Sequence, residues 1–149
     1  MKPLKFQLET IKKIDKFEGR ALIANDTGLG KTYTSLWWVE KTADALPLLV
    51  ICPAIVKHQW ASAIQQILKI NPIVLESRKK RDTQKIQCAI INYDIVIDWL
   101  DVLLKQNFNT VILDECQMLT NPKAKRTKSS LKLAKQSKYC IALSATPVN

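Results

Sequence analysis

The sequence predicts an α/β domain of three layers built on a mainly parallel sheet. Apolar, β-branched runs of strand length recur along the chain, and they are continuously apolar where a half-exposed strand would alternate. That is the pattern of strands covered on both faces. Helical stretches lie between most of these runs, and strand alternating with helix closes into such a sheet through right-handed crossovers. No internal repeat, low-complexity linker or break in composition divides the chain, so its 149 residues are expected to form one domain.

The elements follow in chain order. LKFQLETIKKIDKF (4–17) carries Leu4, Leu8, Ile11 and Ile14 at helical spacing on one face. ALIA (21–24) is the first strand, and KTYTSLWWVEKTADAL (31–46) the second helical stretch. LLVIC (48–52) is a strand, and IVKHQWASAIQQILKI (55–70) is the next helix. The strands PIVL (72–75) and CAII (88–91) precede the helix YDIVIDWLDVLLKQ (93–106). TVILD (110–114), the helix KRTKSSLKLAKQ (125–136) and YCIAL (139–143) complete the pattern.

Composition excludes some classes of function. No apolar run approaches the ~20 residues that span a bilayer, and no signal peptide opens the chain, which predicts an intracellular protein with no membrane partner. Cys52, Cys88, Cys116 and Cys140 are widely spaced with no C-x-x-C pair, so buried free thiols are expected and a zinc site is not. The net charge of +10 is local. Residues 121–138 hold seven Lys and Arg and no acid, and taking those from the 23 basic residues leaves 16 against 13 acidic ones. A solvated helix face and a polyanion-binding surface both fit such a block. RKKR (78–81) is read as a surface turn over a nuclear signal. Trp37, Trp38, Trp60 and Trp99 are expected in the core, with base stacking as the rival for the first two. His58 has no partner ligands in sequence and is expected to act neither as a metal ligand nor as a general base.

Chemistry concentrates in two places. After the strand ALIA comes NDTGLGK and then a helix, the context in which a glycine loop cradles phosphate. Gly28 and Gly30 allow close backbone approach and positive φ, and the amides at the helix start point at the phosphates with the helix dipole behind them. Lys31 would sit against the β- and γ-phosphates, and the Thr32 hydroxyl would ligate Mg²⁺. Some 80 residues on, TVILDECQ puts Asp114 and Glu115 at the carboxyl end of a buried strand, the edge where open α/β sheets bind ligands. Asp114 would hold the Mg²⁺, and Glu115 would orient and deprotonate the water that attacks the γ-phosphate. The generic phosphate loop has a glycine where this chain has Asn25.

With these residues in view, the chain resembles superfamily 2 helicases and translocases, closest to the Swi/Snf-type DNA-dependent ATPases. That group has A-D-E-M-G-L-G-K-T where this chain reads A-N-D-T-G-L-G-K-T, so it too lacks the first glycine. The resemblance implies a RecA-like P-loop NTPase lobe over 1–149, with Thr27, Gly28, Leu29, Gly30, Lys31 and Thr32 holding ATP. KFQLETI resembles the Q-motif region, which implies adenine recognition by Gln7. PLLVICPAIVKHQW resembles motif Ia, with Pro53 and Ala54 near the nucleic-acid backbone, and IINYDIV brings Asn92 and Tyr93 near the same track. LDECQMLTNPKAKRTK resembles motif II, and LSATPVN resembles motif III, where Ser144 and Thr146 would couple hydrolysis to nucleic acid. Cys116 and Gln117 stand in place of the family's Ala-His; Gln117 can still hydrogen-bond towards the γ-phosphate or motif III but cannot carry a proton as imidazole can.

The resemblance implies the first lobe of an ATP-driven translocase, with ATP and Mg²⁺ as cofactors and nucleic acid, double-stranded DNA foremost, as partner. The family's second RecA-like lobe, which brings an arginine finger, does not follow LSATPVN here. It is expected in a longer protein or from a partner, and the chain alone is expected to hydrolyse ATP poorly. The rivals are a strand-separating DNA or RNA helicase, a restriction-system motor, and a non-catalytic nucleotide-binding module. The expected location is intracellular, cytoplasm or nucleus depending on the organism.

Overall fold

A computed structural model of the chain describes residues 1–24, 28–78 and 84–145. The helices are α1 (Lys5–Lys16), α2 (Gly28–Lys41), α3 (Lys57–Leu68), α4 (Val96–Gln106) and α5 (Lys125–Gln136). The strands are β1 (Arg20–Ala24), β2 (Leu48–Cys52), β3 (Ile73–Leu75), β4 (Cys88–Asn92), β5 (Thr110–Leu113) and β6 (Tyr139–Ser144). They form one six-stranded sheet in the order β1-β6-β5-β2-β4-β3, and each neighbouring pair is parallel. The expected α/β class is therefore observed.

Strand β2 shows why its run is continuously apolar. Leu48, Val50 and Cys52 pack with residues of α1, α2 and α3, while Leu49 and Ile51 pack with α4 and α5. All five are fully buried, because successive side chains leave a strand on opposite faces and both faces are covered. The result is three layers. Trp37, Trp38 and Trp60 lie in the first core, and Trp99 in the second.

Helix α2 departs from the sequence expectation at both ends. It begins at Gly28, so Gly28 and Gly30 are helical rather than left-handed as their glycine identity suggested. It stops at Lys41, where the Thr42 hydroxyl turns back onto the Trp38 carbonyl at 2.7 Å. Pro47 then keeps the preceding residue out of helical conformation. The described glycine with positive φ is Gly19, at +78°, between α1 and β1. A Cβ there would lie 2.3 Å from the Tyr139 ring, so glycine allows β1 to seat against β6. Among the described residues, no helix is long and apolar enough to cross a membrane.

Candidate nucleotide site

A parallel sheet brings all its carboxyl ends to one edge, and the strand order decides what meets there. β6 lies between β1 and β5. The end of β6 is thus interposed between the glycine loop after β1 and the acids after β5. The side chains follow that order. Lys31, only 2% exposed, donates from Nζ to the Ser144 carbonyl at 2.7 Å. The Ser144 hydroxyl donates to Gln117 Oε1 at 3.0 Å, and Gln117 Nε2 donates in turn to Glu115 Oε2. Lys31 and Glu115 therefore stand at the two ends of a chain of contacts through Ser144 and Gln117. Thr32, Asp114 and Glu115 share one cleft of about 410 Å³ with Pro53, Ile55 and Trp60.

Helix α2 starts at Gly28, so the first backbone N–H groups of that helix, which have no partner within it, face this edge. Gln7, 6% exposed, accepts the Leu4 N–H at 2.7 Å and reaches the Gly30 carbonyl at 3.4 Å. It thereby stands beside the first turn of α2. Thr27 and Thr146 lie outside the described residues, as do 79–81 of the RKKR segment. Arg78 of that segment pairs with Asp98 at 2.9 Å.

The acids are held by specific geometry. Asp114 continues the sheet ladder by donating its N–H to the Ile51 carbonyl at 2.8 Å. Glu115 follows with φ 51°, a left-handed conformation that costs a non-glycine residue about 1–3 kcal/mol and clusters at functional sites. A 3₁₀ turn, Cys116–Leu119, starts immediately after it and carries Gln117 back towards β6. Burial pushes the Asp114 carboxyl above its ordinary range, and the charge of Glu115 adds to that. Hydrogen bonds from Trp60 and the Glu115 backbone, with the Lys31 charge, pull the other way.

This donor set fits Mg²⁺. The ion takes hard oxygens and keeps several waters, needing one or two carboxylates and the substrate's phosphates rather than a protein cage. One half-buried carboxylate beside a second acid, with a hydroxyl in the same cleft, offers that arrangement, and a cation would offset the cost of desolvating the charge. Clusters of three or more His, Cys, Asp or Glu suited to a metal are absent among the described residues.

Expected nucleic-acid residues divide. Pro53 and Ala54 lead into a 3₁₀ turn (Ala54–Val56) at the mouth of the cleft, where Ile55 is 91% exposed. Asn92 and Tyr93 lie at the same edge, but their side chains turn inward. The Tyr93 hydroxyl donates to the Asp114 carbonyl at 2.6 Å. Asn92 Oδ1 accepts from Lys57 Nζ at 2.9 Å.

Two residues went unnoticed in the sequence. Trp60 is core, as expected, yet its indole N–H donates to Asp114 Oδ2 at 2.9 Å. Lys57 is buried and also donates to the Leu75 carbonyl at 3.0 Å, tying the ends of β3 and β4 to the start of α3. The available signal was the buried stripe of α3, since Lys57 and Trp60 fall in register with Ile64 and Ile67.

A family model described as the SNF2-related domain matches residues 9–149. The chain belongs to the SNF2-related domain family. It is 34% identical over 135 residues to a SWI/SNF-related matrix-associated actin-dependent regulator of chromatin subfamily A-like protein 1 homolog of Caenorhabditis elegans, covering 87% of this chain and 20% of that protein. It is 30% identical to the ATP-dependent helicase YqhH of Bacillus subtilis, over 98% of this chain and 27% of the relative. The Sulfolobus solfataricus SWI2/SNF2 ATPase core, solved in complex with dsDNA, superposes with a TM-score of 0.78 at 26% identity, covering 99% of this chain and 32% of that one. The chain thus spans a third or less of these relatives' length. Cys116 is half-buried against the second core, and Gln117 bridges Glu115 to Ser144. The remaining thiols are unreactive by environment: burial pushes Cys52 and Cys88 up to about 12 and Cys140 to about 11.

Proposed function

We infer that the chain is the first, ATP-binding lobe of an ATP-dependent DNA translocase or helicase that couples hydrolysis to movement on nucleic acid. The observation that carries this reading is the linked run from Lys31 through Ser144 and Gln117 to Glu115, alongside a cleft shared by Thr32 and Asp114. Its residue types and order along one sheet edge suit a triphosphate with a metal on one side and a base on the other.

The roles follow from chemistry and position. The N–H groups opening α2 and the Lys31 ammonium, a cation with three donors, bind the phosphates. Thr32 and Asp114 hold Mg²⁺, which when bound neutralises charge developing on the phosphate oxygens. Glu115 orients the attacking water and takes its proton. Gln117 holds Glu115 in place and links it to Ser144 on β6, so a change at the terminal phosphate is felt where motif III begins. Gln7 and the segment with Thr27, Gly28, Leu29 and Gly30 cradle the nucleoside end and the phosphates. Thr146 belongs to the same coupling segment as Ser144.

Duplex DNA is the proposed partner, supported by the dsDNA in the Sulfolobus relative and by the exposed Lys125, Lys128, Lys132 and Lys135 along one stripe of α5. Pro53 and Ala54 would meet its backbone, and Asn92 and Tyr93 would act from behind that surface. A second α/β lobe, in the same chain or from a partner, would supply the arginine finger, worth about 10³–10⁵ in rate in related phosphoryl transfer. The work belongs in an intracellular compartment that holds DNA and ATP.

The test is ATP turnover by the full-length protein with duplex DNA, single strands and RNA. Duplex DNA should stimulate it most. Glu115→Gln should lower turnover by about 10²–10⁴ while nucleotide still binds. Turnover unchanged by that substitution would overturn the reading.

A further inference from the structure

We propose that Trp60 is a positioning residue that fixes the carboxylate plane of Asp114 and makes it answer to the Ala54–Val56 turn. The inference rests on the nucleotide site described above. Asp114 is restrained from three sides. Its Oδ2 accepts the Trp60 indole N–H at 2.9 Å, its Oδ1 accepts the Glu115 backbone N–H at 3.0 Å, and its carbonyl accepts the Tyr93 hydroxyl at 2.6 Å. The terminal torsion of an aspartate is otherwise broad, so two donors in fixed directions select one carboxylate plane. A metal ligand held in that way keeps its remaining lone pairs aimed at one point.

A buried indole must find some acceptor, and packing alone would be satisfied by any carbonyl. Here the acceptor is the carboxylate of the nucleotide site, and the donor is 1% exposed yet lines the same cleft as Pro53 and Ile55. The 3₁₀ turn Ala54–Val56 adjoins α3 at Lys57, so Trp60 lies five residues beyond the most exposed apolar side chain of that surface, Ile55. Lys57 is clamped to the Leu75 carbonyl and to Asn92. That clamp fixes the helix start against the ends of β3 and β4, so the turn and the indole share one mount. Engagement of a nucleic-acid backbone at the turn therefore reaches the metal-holding carboxylate through one hydrogen bond.

The experiment uses the full-length protein carrying Glu115→Gln, a fluorescent non-hydrolysable ATP analogue, Mg²⁺ and duplex DNA. The readout is the factor by which DNA tightens analogue binding, together with the half-saturating Mg²⁺ concentration. Adding Trp60→Phe, which keeps the ring and removes the N–H, should cut that factor at least about fivefold and raise the Mg²⁺ requirement, with DNA affinity in the absence of nucleotide unchanged. With Glu115 intact, the same substitution should raise KM for ATP in the presence of DNA by a comparable factor. If Trp60→Phe fails to fold, an isosteric sulfur analogue of tryptophan at position 60 replaces it, retaining the bicyclic shape without the N–H. Coupling preserved within about twofold in either variant overturns the inference, as does an isostere that will not fold, since the N–H would then serve stability alone. A parent protein with neither nucleotide binding nor DNA-stimulated turnover defeats the underlying functional reading instead.

Discussion

Gln117 bears most directly on how a single residue can alter the family pattern without removing the chemistry. Its amide donates to Glu115 and accepts from the Ser144 hydroxyl, so one planar group spans the acid and β6. An imidazole there could carry a proton; an amide can only hold two partners in register. Gln117→Ala should therefore lower kcat by about 10–100-fold, the usual loss when a group that orients a catalytic residue is removed. KM for ATP should change little, since the bond matters after binding. Steady-state kinetics on the full-length protein would check this, and a loss confined to KM would contradict it. Residue identity was legible in the sequence for Lys31, Thr32, Asp114 and Glu115, because a glycine loop after one strand and paired acids after another are chemical signatures. Trp60 was not, because hydropathy reports that an indole is buried and says nothing about which acceptor its N–H meets.

At the level of elements, burial on both faces explains both the sequence pattern and its energetics. Ile112 of β5 is fully buried in the core under α1 to α3, beside the strand end that carries Asp114. Ile112→Ala should cost about 2–5 kcal/mol in denaturant unfolding. Leu22 lies on β1 at the edge of the sheet and is 52% exposed, so Leu22→Ala should cost far less, within about 1 kcal/mol. Equal costs would mean that β1 is covered in the working protein. The strands were legible because their apolar runs are short, β-branched and bounded by turn residues. The ends of α2 were less so. Glycines suggest left-handed backbone, yet Gly28 and Gly30 open the helix, where their use lies in the free N–H groups and the absence of a side chain. The left-handed position next to the chemistry is instead Glu115, which no propensity would select.

For the whole molecule, strand order is what sequence could not supply. The motifs give the order along the chain; only the sheet, with β6 between β1 and β5, brings Ser144 between Lys31 and Gln117. The charge distribution is likewise a property of the assembled surface. If the lysine stripe of α5 meets phosphates, DNA affinity should fall with salt, and Lys128→Ala with Lys132→Ala should reduce the log–log slope by about 2. An unchanged slope would make the stripe a solvated face. The central claim is that one strand-end pocket gathers a cation, a hydroxyl and two acids around a metal-bound triphosphate. A crystal structure with Mg²⁺ and a non-hydrolysable ATP analogue tests it most directly. The account predicts the terminal phosphates against Lys31 and the start of α2, with the metal between Thr32 and Asp114. An analogue seated elsewhere, such as the cleft of Asp15, Arg20 and Tyr139 at the opposite edge of the sheet, would contradict it.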